Sequence, residues 1–525
     1  MLYALIALGS GALYALAFPN AWGSGAVPLS PLALVLILAL LARARSTRRR
    51  VLFTLLHQTG FNLAGFYWVP HTLQEFGGLP SWLSHLLALG LAPVLNPALW
   101  GQLIWLAYSP RLPGVERWPV GMRVFCNAVF LSAIELVLPQ QFPVYAGHVW
   151  LAFAPHLSFA PVGGAGIYSF FTWWFVLGLV PVLGRRPWAK SAVAASLLFA
   201  GLHLFVALPA RDAGAEGRSV NLRLVQANIG NFLKVQSELG DESATEDVVA
   251  RYQRLSLTSY PQDLDLIVWP ETAYPFAMVS EDMLRGDERI PEIFRELIAR
   301  TNAELAVGGY DQKPGLMWGS RFETDYNTVF LFGAQGQLRD LYHKHILIPF
   351  GETIPVGPLK PTVAKLLPMV AFFAKGERTP AMSLKNGSTF AAPICYEILQ
   401  SEFVAQLLNL APRPIDFILN LTNDSWYGDT AEPEQHLFLA KWRALEFQRP
   451  IVRATNTGIS TVIYPDGSEG ARLGVGEQGV LDFRLTLPLR APVTTYQRYG
   501  HLVLVALWAL IGSAFSAFWW WRNRP

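Results

Sequence analysis

The sequence predicts a polytopic α-helical membrane bundle carrying a globular α/β layered sandwich domain, and three observations predict it. The 525-residue chain is 52% hydrophobic and only 15% charged, with a mean hydropathy of +0.30, too apolar for an ordinary soluble protein. Its acidic residues lie mostly after Gly214, so the N-terminal part is almost free of Asp and Glu. Beyond that point short apolar runs alternate with segments of helical period. The formal net charge of +3 is too small to argue for nucleic acid; the basic residues cluster beside apolar spans instead.

Seven apolar segments precede residue 210, at about 2–18, 27–43, 51–69, 81–108, 120–138, 161–184 and 190–208, and an eighth covers about 499–521. Most approach the ~20 residues that carry a helix across ~30 Å of hydrocarbon. The fourth is long enough to tilt, or to break near Pro93 and Pro97. The first has no basic flank and no cleavage pattern, and reads as a retained span rather than a removed leader. Basic residues fall on alternate connections: RARSTRRR after the second span, Arg111, Arg117 and Arg123 after the fourth, Arg185, Arg186 and Lys190 after the sixth, and WRNRP at the tail. The connections after the first, third and fifth spans hold no Lys or Arg. By the positive-inside rule both termini are expected in the cytoplasm and residues 211–495 on the far side, the periplasm of a bacterium. The expected division is a seven-helix bundle over 1–210, a globular domain over 211–495, and an eighth helix with a cytoplasmic tail over 496–525. NAWGSGAVPLS, HTLQEFGGLPS and QQFPVYAGHVW would form a floor beneath the domain. His57 and Glu135 are ionisable groups inside spans, where a helix–helix hydrogen bond is the plainer reading and a functional role the sharper one.

In the domain the expected strands are NLRLVQAN, LDLIVWPE, ELAVGGYD, YNTVFLFG, STFAAPIC, DFILNLTN and RPIVRATN with ISTVIYPDG. The expected helices include DVVARYQRLS, PEIFRELIAR, SEFVAQLLNL and QHLFLAKWRALEF. Near-continuous apolar strands covered by amphipathic helices point to a layered sandwich.

Three reactive side chains stand at strand ends. Glu271 follows LDLIVWP, Lys344 follows GQLRDLYH, and Cys395 follows STFAAPI. A cysteine where a strand turns into a helix is expected to be biased toward thiolate by free backbone N–H groups and the helix dipole. Thiol, carboxylate and amine make an acyl-transfer set: the thiolate attacks a carbonyl, the carboxylate moves the proton, and the cation with a following backbone N–H holds the oxyanion. The other cysteine, Cys126, lies in an apolar span. Two cysteines without CxxC make no zinc framework, so no metal and no cofactor are expected.

WPET, HKHILIPFGE, ICYE, NLTNDSWYGD and QH with RALEFQRPIVRATNTGIS resemble the carbon–nitrogen hydrolase (nitrilase) superfamily. With the spans around them they resemble its membrane-bound apolipoprotein N-acyltransferase family over nearly the whole chain. The resemblance implies an αββα sandwich on a bundle of about eight transmembrane helices. It implies a triad of Glu271 as proton acceptor, Lys344 as oxyanion stabiliser and Cys395 as nucleophile, supported by Glu352, Tyr396 and Glu397. It also implies ping-pong transfer of an acyl chain from a membrane phospholipid, through a thioester, to the α-amine of an apolipoprotein's diacylglyceryl-cysteine. The partners so implied are donor lipid, acceptor lipoprotein and bilayer, with no nucleic acid, for a monomer in the bacterial inner membrane.

Residues 358–376, PLKPTVAKLLPMVAFFAKG, carry apolar side chains between lysines and are expected to form an arm dipping into the membrane surface, with Phe372 and Phe373 against substrate. Trp426 is expected to wall the acyl or headgroup pocket, or to pack in the core. Two departures from the family pattern stand out. Lys234 is followed by Val235 where a tryptophan is usual, which bears on headgroup preference, and Glu432, Pro433 and Glu434 replace the usual residues before QH. A membrane-tethered amidase, resolving the thioester with water, shares the triad. A transporter with a sensor domain would need paired intramembrane charges and internal symmetry, of which little is seen. The DLD at 263–265 is weak support for a glycosyltransferase, and GxSxG, HExxH and P-loop motifs are absent.

Overall fold

A computed structural model describes residues 1–108, 118–183, 190–205, 217–238, 240–259, 264–314, 324–349, 351–354, 357, 362 and 372–522. The apolar segments of the first half fold as α1 (Leu2–Ala15), α2 (Leu29–Arg43), α3 (Thr47–Gly65), α4 (Val69–Gly77), α5 (Ser81–Leu95), α6 (Pro97–Tyr108), α7 (Val120–Val137), α8 (Ala160–Leu183) and α9 (Lys190–Phe205). The long fourth segment breaks between α5 and α6. Pro97 opens α6, where its missing N–H costs nothing, and Asn96 Oδ1 accepts from the Leu99 N–H at 3.2 Å. The short α4 was not anticipated; it lies in a connection expected to be loop. By length and composition three described helices can cross a membrane: Val120–Val137, Ala160–Val180 and Leu502–Trp521. The last is almost wholly exposed and ends in Trp519, Trp520 and Trp521, residues of the kind enriched at bilayer interfaces.

The two ionisable groups expected inside spans tie helices together. The His57 ring nitrogen Nδ1 lies 2.8 Å from Ser10 Oγ, joining α3 to α1. Glu135 Oε1 accepts from Gln102 Nε2 at 2.6 Å and Trp173 Nε1 at 2.9 Å, joining α7 to α6 and α8.

The domain is two stacked sheets with helices outside. The first sheet runs β13-β1-β2-β4-β5-β6, with β3 paired to β4, and the second runs β12-β11-β10-β9-β8-β7. In chain order these are β1 (Gly217–Gln226), β2 (Leu266–Trp269), β3 (Ala277–Met278), β4 (Glu304–Gln312), β5 (Asp325–Phe332), β6 (Leu338–His343), β7 (Met382–Ser383), β8 (Thr389–Ala391), β9 (Phe417–Thr422), β10 (Ile451–Thr455), β11 (Ser460–Ile463), β12 (Glu469–Leu473) and β13 (Gly479–Pro488). The two-residue period of the strands sorts the first sheet's side chains. Leu266, Val268, Ala306, Val329 and Leu331 enter the core between the sheets. Their neighbours Ile267, Trp269, Leu305, Val307, Phe330 and Phe332 meet the outer helices, through Tyr252, Phe294 and Leu297. Helices Ser401–Leu410 and Glu432–Phe447 cover the second sheet through Leu407, Leu408, Leu437 and Ala440. β13, which pairs with β1 over ten positions, was not anticipated.

Domain and bundle share one apolar core, from Phe66, Trp68 and Phe142 through to Tyr427. The helix Glu432–Phe447 is the joint. Gln435 Nε2 donates to the carbonyls of Pro19 and Gly65, both at 2.9 Å, while its Oε1 accepts from Trp68 Nε1 at 3.0 Å. Trp442 Nε1 donates to the His148 carbonyl at 3.1 Å, and Glu446 Oε1 accepts from the Ala165 N–H at 3.1 Å.

Candidate active site

Each reactive side chain leaves the end of a strand that the sheet pattern holds in place. β2 ends at Trp269, and Pro270 stops it from continuing, so Glu271 turns inward. Its close neighbour is Gly308 of β4, where a Cβ would lie 2.2 Å from the Pro270 carbonyl oxygen and 2.6 Å from the Glu271 Cα. Lys344 follows β6 directly, its N–H donating to the Asn327 carbonyl of β5 at 2.9 Å. Cys395 comes four residues after β8, whose ladder ends where Pro393 offers no N–H.

These three strand ends converge. Lys344 Nζ, fully buried, donates to Glu271 Oε1 at 3.0 Å and Glu352 Oε1 at 2.8 Å. Asn327 Nδ2 bridges the same two carboxylates, donating at 2.8 and 3.1 Å. Glu271 Oε2 accepts from the Asn423 N–H at 2.9 Å, and Glu352 Oε2 from the Ile348 N–H at 2.9 Å. Burial works against the Lys344 ammonium, but Glu271 and then Glu352 outweigh it and hold its pKa well above the ordinary lysine range. Lys344 is a permanent cation here.

Cys395 is buried beside this network and sits at φ 51°, the left-handed region that a non-glycine residue enters at a cost. The strain is held from two sides. Asn420 Nδ2 donates to the carbonyls of Pro393 at 2.9 Å and Cys395 at 3.1 Å. Glu397 accepts four bonds: from the Ile394 N–H at 2.7 Å, the His345 N–H at 2.6 Å, the Ile346 N–H at 2.8 Å and Tyr342 Oη at 2.8 Å. That carboxylate therefore staples the loop after Lys344 to the turn of Cys395.

The thiolate expectation is corrected by this geometry. The chain after Cys395 makes a 3-10 turn to Leu399, and the α-helix begins only at Ser401, so no long helix points its dipole at the sulfur. Burial first, then the Glu271 charge, push the Cys395 thiol well above its ordinary range, with Lys344 opposing. Such a thiol reacts when a base removes its proton, and Glu271 lies close enough to be felt by it.

The other expected residues divide. Tyr396 is buried next to Cys395, its phenol pushed up to about 12 chiefly by burial. Trp426 is half-buried on the turn Ser425–Tyr427. Most of the expected arm, 358–361 and 363–371, lies outside the described residues. Its far end turns inward rather than outward: Phe372 is buried, and Phe373 stacks on Tyr310 with centroids 5.8 Å apart and donates its N–H to the Glu352 carbonyl at 3.0 Å. Asn327, Asn420, Asn423 and Tyr342 were missed. The available signal was weak: a single amide inside an apolar strand, as in YNTVFLF and FILNLT.

Comparison with known proteins gives these contacts a lineage. Residues 221–493 match the family model for carbon–nitrogen hydrolases, and residues 10–178 match that for the apolipoprotein N-acyltransferase N-terminal domain. An apolipoprotein N-acyltransferase of Bdellovibrio bacteriovorus is 30% identical over 471 residues, covering 86% of this chain and 83% of that protein. One from Haemophilus influenzae is 31% identical over 524 residues, covering 96% and 92%. The chain belongs to the apolipoprotein N-acyltransferase family. Among solved structures, an amidase from Nesterenkonia sp. aligns over 55% of this chain and 96% of its own, at 19% identity and a TM-score of 0.34. Within the family assignment, the two stacked sheets are the nitrilase-like α/β fold.

Proposed function

We propose that this chain is an integral-membrane acyltransferase that N-acylates apolipoproteins, and that its chemistry runs on Glu271, Lys344 and Cys395. The observation that carries the reading is the buried Glu271–Lys344–Glu352 cluster beside a strained cysteine, in a domain bonded directly to an apolar helical bundle.

In the first half-reaction Glu271 takes the thiol proton and the sulfur attacks the ester carbonyl of a phospholipid. Lys344 and the backbone N–H after Cys395 hold the oxyanion; one such donor is worth about 3–4 kcal/mol of barrier. The carbonyl–oxygen bond to glycerol then breaks, the glycerol oxygen takes the proton from Glu271, and a lysophospholipid leaves. In the second half-reaction the α-amine of a diacylglyceryl-cysteine attacks the thioester. Glu271 takes the amine proton, the carbon–sulfur bond breaks, and the thiol regains its proton. Both substrates are anchored in lipid, so a domain seated on the bundle avoids drawing acyl chains into water at about 0.8 kcal/mol per CH₂.

In this reading the bundle has about eight transmembrane helices, with 1–210 and 496–525 in or beside the inner membrane, both termini cytoplasmic and 211–495 periplasmic. The reading also takes the protein as a monomer. Trp426, Phe372 and Phe373 line or support the acyl entrance. Mass spectrometry of the full-length protein with phospholipid tests the mechanism. An acyl adduct on Cys395 that is absent in Cys395→Ser and discharged by a diacylglyceryl peptide is expected; an adduct discharged by water alone at the same rate would instead make it a hydrolase.

A further inference from the structure

Behind Cys395 lies a second cluster that the acyl-transfer chemistry does not use. Asp424, Glu432, His436 and Arg453 are all at most 1% exposed. Asp424 follows β9. Glu432 and His436 sit one turn apart at the start of the helix Glu432–Phe447, on one face. His436 Nδ1 lies 3.3 Å from Asp424 Oδ1 and 3.7 Å from Glu432 Oε1. Among the described residues this is the one group in which three candidate ligand atoms lie within 4.8 Å of one another.

The surroundings of the three differ. Asp424 Oδ2 accepts from Arg453 Nη2 at 2.9 Å, and Asp424 Oδ1 has a long contact with Thr422 Oγ1 at 3.4 Å. Arg453 Nη1 also donates to Asn420 Oδ1 at 2.8 Å, the residue that holds the Cys395 carbonyl. The His436 imidazole lies against that same Cys395 carbonyl. Neither ring nitrogen makes a well-aligned hydrogen bond, and an ion on Nδ1 would place the ring proton on the side of that carbonyl. Glu432 is the odd member: fully buried, with neither carboxylate oxygen hydrogen-bonded. Two carboxylates and an imidazole therefore converge in the protein interior, and a buried Glu432 with no hydrogen bond is costly.

We propose that Asp424 Oδ1, the Glu432 carboxylate and His436 Nδ1 bind a divalent first-row transition ion, zinc by the spacing, at a structural site beneath the nucleophile. A tetrahedral zinc ion with bonds of about 2.0–2.1 Å sets its ligands roughly 3.3 Å apart, close to the observed 3.3 and 3.7 Å. The outer contacts are those such a site uses: a guanidinium on the free oxygen of the carboxylate, and a carbonyl facing the far side of the imidazole. Gly458 leaves the room, since a Cβ there would lie 2.1 Å from Asp424 Oδ2. The ion would tie the loop after β9 to the helix that joins domain and bundle, and so brace the Cys395 turn.

The test is metal analysis of the full-length protein purified in detergent without chelator, with no lipid substrate present, so that its outcome is independent of acyl transfer. Roughly one zinc per chain is expected, falling at least tenfold in Glu432→Gln at equal yield and unchanged oligomeric size. Cobalt added to zinc-stripped wild-type protein should give the intense visible absorption of a tetrahedral site, and this readout needs no variant. Wild-type protein that takes up neither zinc nor cobalt, or Glu432→Gln that retains as much zinc as wild type, overturns the proposal; the three acceptors then share a proton.

Discussion

In the proposed mechanism Cys395 and Glu271 divide the work of making a nucleophile. Because burial and the Glu271 charge raise the thiol, alkylation of Cys395 by a small haloacetamide is expected to be slow at neutral pH and to climb past the ordinary thiol pKa of 9.0. Peptide mass spectrometry reads this residue separately from Cys126, and a rate that levels off below about pH 7 would contradict it. Glu271→Gln removes a charge that raises the thiol and leaves Lys344 in place. Alkylation at fixed pH should therefore speed up, while acylation by phospholipid falls about 10²–10⁴-fold for want of a base. In Glu352→Gln, Lys344 keeps Glu271 as a partner but its 2.8 Å contact passes from a charged oxygen to a neutral amide oxygen, and the Ile348 N–H loses its acceptor. A loss of about 2 kcal/mol, roughly 30-fold in acylation rate, is expected. An undiminished rate in Glu352→Gln would remove Glu352 from the supporting set.

At the scale of elements, the site depends on how closely strand ends approach. Gly308 sits in β4 with no space for a methyl group against Pro270 and Glu271. Gly308→Ala is expected to cost about 1–3 kcal/mol of stability and to lower acylation beyond what the lost folded fraction explains, because it displaces the base. Thermal unfolding and rate measured on the same sample separate the two; normal turnover per folded molecule would show that β4 does not set the position of Glu271. The Glu397 staple carries a pH signature. Burial, working against four hydrogen bonds, lifts its carboxyl to about 7 in the folded chain from an ordinary 4.5. The folded state thus binds that proton more tightly than the unfolded state. The resulting stability is complete below about pH 4.5 and is lost as pH rises through about 7, a change of about 3 kcal/mol. The unfolding midpoint in detergent should fall across that window, and Glu397→Gln should flatten the fall. An equal slope in the variant would assign it to other groups.

For the whole molecule, the helix Glu432–Phe447 is the part that both halves share. Trp442 is fully buried and donates to the His148 carbonyl of the bundle. Trp442→Ala should cost about 3–5 kcal/mol. It should also slow transfer from bilayer phospholipid more than from a short-chain soluble ester, because the second donor does not need the domain seated on the membrane. Equal slowing with both donors would mean that the joint serves stability alone. The same helix carries Glu432 and His436, so the proposed zinc ion and the bundle contacts act on one rigid element.

The apolar helices, the layers of the sandwich and the placing of Glu271, Lys344 and Cys395 at strand ends were legible from the chain alone, because each rests on a local signal. Runs of apolar residues, a period of two or of 3.6, and a motif at a strand end are all carried by neighbours in sequence. The break before Pro97 was legible for the same reason. What the chain could not show depends on contacts between distant segments. Asn327 reads as a stray amide until β5 sets it between two carboxylates. β13 has no special pattern until it finds β1. The state of the Cys395 thiol was misread because helical spacing after residue 395 says nothing of the 3-10 turn that Glu397 imposes, nor of the burial that raises the sulfur. Electrostatics in a protein interior follow from which charges meet and how much water is excluded, and those two quantities exist only once the chain has folded.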